Sequence, residues 1–212
     1  QIFRSAPGGG KTSLFRVFTP TSLLTLQGSV SGSEDYKELF SKMTDLGVIS
    51  NKGIELLGVM LSCARNYATL EDLNIDPVKK KRLFFALLNA RMTIAILRGA
   101  LIIKHLKYPD DLSMIKIRRP ENFEIPIKVP IPGTGQDLYD WACSVETNVC
   151  ELIDSFGPMQ TQSLEGYDGL HALSFLKADN IFFNEKKICS KILVMFDDVH
   201  KLTEAQRQEI VT

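Results

Sequence analysis

The sequence predicts an α/β fold, a parallel β-sheet flanked by helices and interrupted by a large, mostly helical insertion. Three observations carry that expectation. A glycine-rich turn, Ser5 to Ser13, lies between a short β-like stretch, Ile2 to Arg4, and a helical apolar pattern. A run that is apolar at every position, Ile192 to Phe196, ends on Asp197 and Asp198, as suits a central parallel strand covered on both faces. Between these two segments stand roughly 180 residues, far more than a few strands and helices need. The expected division places residues 1–30 and 160–212 in the sheet-bearing core and residues 31–159 in the insertion.

Taken in order, Leu14, Phe15, Val17 and Phe18 give the segment after the turn an apolar helical face. Pro20 then ends or bends that helix, because its ring lacks a donor and crowds the preceding turn. The Gly- and Ser-rich stretch Gln27 to Asp35 is a loop, with Ser31 and Glu34 at capping-box spacing, and Tyr36, Leu39, Phe40, Met43 and Leu46 follow at helical spacing. Ile54 to Leu61 has the length and apolarity of a strand, although a short buried helix has the same composition. Asp76 before Pro77 starts a long helix reaching about His105, since Asp caps free amides and Pro at the first position loses no hydrogen bond. Its apolar part, Leu83 to Ile103, is interrupted by Arg91 and Arg98 and closed by Lys104, which predicts a buried or amphipathic helix and no membrane span. Lys79, Lys80, Lys81 and Arg82 read as a solvated first turn.

Phe123, Ile125, Ile127, Val129 and Ile131 alternate with a period of two, yet Pro126, Pro130 and Pro132 cannot donate to a central ladder, so an edge strand or extended arm is expected. Asp137 to Phe156 returns to helix, with Leu138, Trp141, Val145, Val149, Leu152 and Phe156 on one face and Cys143 and Cys150 packed beside it. Leu170 to Cys189 is mixed. Val199 to Val211 is the helix after the acidic pair, with Thr203 as its cap.

Composition narrows the function. Positive and negative side chains balance at 25 each, which gives no support to a general affinity for DNA or anionic lipid. The 4 cysteines form no CxxC pair and no His stands at zinc-ligand spacing, so reduced thiols in a cytoplasmic protein are expected. The chain opens on Gln1 without an initiator Met or an apolar leader, which leads us to expect numbering that begins inside a longer protein. G-x-S-x-G, HExxH and G-x-G-x-x-G patterns are missing, which removes the hydrolase elbow, the zincin helix and the dinucleotide fingerprint.

The informative residues are Pro7, Gly8, Gly9, Gly10, Lys11, Thr12 and Ser13. Glycines let a backbone close on phosphates at a helix N-terminus, a lysine neutralises β/γ oxygens, and a hydroxyl ligates magnesium. A flexible glycine turn is the bland alternative. Asp197 and Asp198 taken alone read equally well as a solvated turn or a helix cap. Their joint occurrence decides between these readings, because two acids beside a triphosphate are unfavourable without a divalent cation.

These two segments resemble the Walker A and Walker B motifs of P-loop NTPases of the additional-strand class, which holds AAA+ and STAND proteins. Ser5 stands where the pattern GxxxxGK[ST] has its first Gly. The resemblance implies a P-loop sheet, ATP and Mg2+ as ligands, magnesium held by Thr12 and Asp197, and a water oriented or deprotonated by Asp198, with Lys11 and Asp198 carrying catalysis. Phe196 to Thr203 is similar to a segment of bacterial ATPases related to the origin-recognition group, some of which sit in antiviral defence loci. The family's sensor residue and arginine finger are expected beyond Thr212, and Arg91, Arg98, Arg118, Arg119 and Arg207 read as surface or ion-pairing residues. His200 reads as a polar residue at a helix start or as a side chain facing the γ-phosphate. The expected partners are further copies of the chain or an effector protein. A nucleotide-gated switch or scaffold with little turnover, and a DNA-associated AAA+ ATPase, are the alternatives.

Overall fold

In the computed structural model, residues 10–29, 33–121, 124, 127–154 and 166–211 are described. The expected strand at Ile2 to Arg4, the loop residues Pro7, Gly8 and Gly9, the Ser31 cap, and Phe123 and Ile125 lie outside the described residues.

The two apolar runs of strand length find each other. Strand β3 (Leu56–Ser62) pairs in parallel with β8 (Lys191–Asp197), in register from Leu56 opposite Lys191 to Ser62 opposite Asp197. The chain is therefore mixed α/β with a small parallel sheet. β3 lies within residues 31–159, and this pairing ties that stretch to the C-terminal segment. Among the described residues β8 pairs only with β3. Its Ile192, Leu193, Val194 and Phe196 are half-buried and Met195 is buried, so the covering expected on both faces is incomplete.

Helix α1 (Lys11–Val17) ends at Phe18, and α2 (Pro20–Gly28) begins at once. Pro20 is thus the first residue of a new helix instead of a kink in the old one, the position where its fixed φ and missing donor cost nothing. Helix α3 (Glu34–Asp45) seats Met43 in the core, and the short antiparallel pair β1 (Ile49–Ser50) and β2 (Gly53–Ile54) leads into β3. Helix α4 (Pro77–Ile103) starts where Asp76 Oδ1 accepts from the Lys79 amide at 3.1 Å. It is long and apolar enough to cross a membrane, and 72% of its most apolar window is buried inside the fold.

Two glycines set how closely the layers approach. A Cβ at Gly99 of α4 would lie 2.6 Å from Leu57 Cδ1 and 3.4 Å from Val59 Cγ1, so α4 presses on that face of β3. On the opposite face a Cβ at Gly58 would overlap the Phe18 carbonyl oxygen, a backbone atom that cannot swing aside. Gly58→Ala is expected to cost about 1–3 kcal/mol by overpacking, read as a lower urea midpoint with an unchanged slope. An unshifted midpoint would mean that α1 and α2 move freely over the sheet.

The remaining strands form a four-stranded antiparallel sheet in the order β5 (Gly133–Thr134), β4 (Ile115–Ile117), β6 (Ile181–Phe183), β7 (Lys186–Lys187). The proline-rich stretch expected as an edge strand or an extended arm contributes no ladder over residues 127–131, which excludes the edge strand there. Its prolines remove the donors such a ladder needs. Helix α5 (Gly135–Asp154) packs along α4, and α6 (Ala172–Phe175) precedes β6. Helix α7 (Glu204–Val211) follows a 3-10 turn at Val199–Lys201. Its start is a reciprocal cap: Thr203 Oγ1 accepts from the Gln206 amide, and Gln206 Oε1 accepts from the Thr203 amide. The buried Gln206 also donates to the Tyr67 carbonyl at 2.6 Å, which fixes α7 to the segment after β3.

Candidate functional site

Because β3 and β8 run parallel, their carboxyl ends coincide, and the Cys63 amide donating to the Asp197 carbonyl at 2.9 Å extends the register by one residue. At the same edge α1 begins. Gly10 holds a left-handed φ of 75°, which only glycine adopts without strain, and turns the chain into the helix. Thr12 then sits in the first turn of α1, and its hydroxyl donates to Asp197 Oδ1 at 3.2 Å across 185 residues of sequence. The same Oδ1 accepts from the Asp198 amide at 3.0 Å.

Asp198 is itself in the left-handed region, at φ 57°, an arrangement that Asp tolerates better than most residues. Its Oδ2 accepts from Ser62 Oγ at 3.3 Å. The structure thus brings together Thr12, Asp197, Asp198 and Ser62 within one chain of hydrogen bonds. Lys11 opens α1 and is half-buried, while Gly10 and Ser13 are exposed. His200 lies exposed in the 3-10 turn, consistent with a polar residue at a helix start.

Ser62 is the residue that the sequence reading passed over. Its signal was present: a hydroxyl terminates one apolar run as an acid terminates the other. Only the strand register makes the two neighbours.

Below the site the wall is inert. Burial pushes the Cys63 thiol up to about 12, and the charges of Asp198 and Asp197 add to that effect. Arg91 is spoken for: its Nε donates to Glu146 Oε1 at 2.7 Å, its Nη1 donates to the Arg65 carbonyl at 2.7 Å, and it stacks over the Tyr67 ring at 4.8 Å. Among the described residues, no three or more His, Cys, Asp or Glu side chains converge on one point. A cation here would therefore take Thr12, one or both aspartates, and oxygens supplied by its ligand or by water.

The donor set suits a hard cation, since a hydroxyl and carboxylates are oxygen ligands and no soft sulfur ligand is ionised. Two half-buried carboxylates adjacent in sequence also favour a neighbouring positive charge. Comparison with protein-family models, curated proteins and solved structures found no match.

Proposed function

We propose that the chain is a P-loop nucleotide-binding module that binds Mg-ATP at the tips of β3 and β8 and hydrolyses it. The observation that carries this reading is the Thr12 to Asp197 hydrogen bond. The hydroxyl after the loop lysine and the first acid of the apolar strand meet across 185 residues, where one ion can contact both. A glycine turn and a solvated acidic turn arising independently would have no reason to share a hydrogen bond.

In this reading Lys11 binds the β/γ oxygens and Thr12 and Asp197 hold magnesium. Magnesium, when bound, offsets negative charge on the transferring phosphoryl group. Asp198 orients a water and takes its proton as the water oxygen bonds to the γ-phosphorus and the bond to the ADP oxygen breaks. ATP is chosen over other triphosphates on the family resemblance of the two motifs.

A second reading has its own support. Ser62 engages Asp198 Oδ2, which occupies one of the oxygens that water activation would use. A module that holds nucleotide with Asp198 so engaged turns over slowly and acts as a nucleotide-gated switch toward further copies or an effector.

The deciding measurement is titration of a fluorescent ATP analogue with magnesium into the wild type and Lys11→Ala. The wild type is expected to saturate, and the variant to bind about tenfold to a hundredfold more weakly, the value of a charge-assisted hydrogen bond. Equal affinities would remove the loop from the binding site.

A further inference from the structure

A groove of ≈ 520 Å³ beside the outer edge of β3 plays no part in the site at the strand tips. Its walls are β3 around Gly58 and Met60, the start of α2, and the side of α4 that carries Ile94, Ala95, Arg98 and Ile102.

Among the described residues the edge beyond Leu56 is unpaired. The Cys63 amide donates to the Asp197 carbonyl on β8, while the Leu56 amide donates to the Val48 carbonyl, away from β8. In an extended strand these directions alternate, so Gly58, Met60 and Ser62 aim their N–H and C=O groups outward. Among the described residues, no backbone hydrogen bond from outside the β3–β8 pair reaches them, although the Phe18 carbonyl lies against one face of Gly58, which leaves Met60 and Ser62 as the accessible stretch. An unpaired strand edge is a template for another strand.

The floor and rim add chemistry. Met60 on β3 and Ile94, Ala95 and Ile102 on α4 are only half-buried, which leaves apolar surface facing the groove. Arg98 is exposed, stacks over Tyr108 at 5.5 Å, and among the described residues meets no carboxylate. Its neighbour Arg91 is balanced by Glu146, so the groove keeps one uncompensated positive charge.

We propose that this edge binds a short extended peptide of a partner protein as an added strand. The peptide's apolar side chains lie on Ile94, Ala95 and Ile102, and an acidic residue reaches Arg98. The unpaired edge supplies directional hydrogen bonds that only a backbone satisfies, which favours a peptide over a small anion.

The test uses a fluorescein-labelled peptide with threonine at every second position and, on the other face, valines and one glutamate, followed by anisotropy with the wild type and with Arg98→Glu, both checked for fold by circular dichroism. Binding is expected to weaken about tenfold in the variant, and a lysine-for-glutamate peptide is expected to prefer the variant. Backbone N-methylation of the peptide should abolish binding, and hydrogen exchange should slow at Met60 and Ser62. Absence of saturable binding, indifference to Arg98→Glu or to N-methylation, or protection on β8 instead of β3 each overturns the proposal. So does competition by free glutarate as effective as that by the unlabelled peptide.

Discussion

Asp198→Asn is expected to lower kcat for ATP by about 10²- to 10⁴-fold, the usual worth of a positioned general base, with nucleotide affinity little changed. Asn is the informative replacement here. It tolerates the left-handed φ of 57° that Asp198 holds, where alanine would add strain of its own. It also keeps an oxygen for the Ser62 hydroxyl to donate to, so the change isolates the lost proton acceptor. The readout is single-turnover hydrolysis at saturating Mg-ATP, which separates chemistry from product release.

Two companions sharpen the result. Asp197→Asn should weaken the dependence on magnesium, since that carboxylate accepts from Thr12 and would share the ion with it. Ser62→Ala removes one hydrogen bond and should change the rate by no more than about tenfold. Its direction tells the two functional readings apart: a faster rate fits a carboxylate that Ser62 holds back, and a slower one fits a carboxylate that Ser62 aims. Turnover unaffected by Asp198→Asn would remove this acid from the chemistry.

How much of this was legible beforehand depended on the range of the signal. Asp76 before Pro77 announced α4 because capping acts within one turn, and Ile192 to Phe196 announced β8 because a buried parallel strand needs no alternation. The meeting of Thr12 with Asp197 was inferred from paired chemistry, which is long-range information that periodicity does not contain. The antiparallel sheet was missed because its strands span only two or three residues, too short for a two-residue period to register. The helix before Pro20 ends, as expected, but the part Pro20 plays in starting α2 was not foreseen, since a proline that stops one helix and a proline that starts the next look alike until the turn at Phe18 is known. Ser62 and Gln206 looked like ordinary polar residues, and only the contacts of β3 and α7 give them work.

Asn89 is the extreme case of that last class, and Asn89→Leu is expected to destabilise the chain by about 1–3 kcal/mol, the cost of one buried amide left without a partner. The side chain is fully buried in the middle of α4. Its Nδ2 donates to the Phe85 carbonyl and to the Gly169 carbonyl, each at 2.8 Å, and its Oδ1 accepts from the Ala172 amide at 2.7 Å. It therefore clasps the segment that opens α6 and, beyond it, the chain leading to β6 and β8. Leucine fills nearly the same volume but offers neither donor nor acceptor, so the buried Ala172 amide loses its partner, while the half-buried Gly169 carbonyl keeps the His171 amide at 3.0 Å. Urea unfolding should show a midpoint shift, set against less than about 0.5 kcal/mol for the exposed control Lys52→Ala. Because domains hold only about 5–15 kcal/mol in total, the variant should also lose nucleotide binding on mild warming, as β8 no longer presents Asp197 to Thr12. A loss under about 1 kcal/mol would mean that a water replaces the Asn89 side chain at the Ala172 amide, and that α6 is held by its apolar contacts alone.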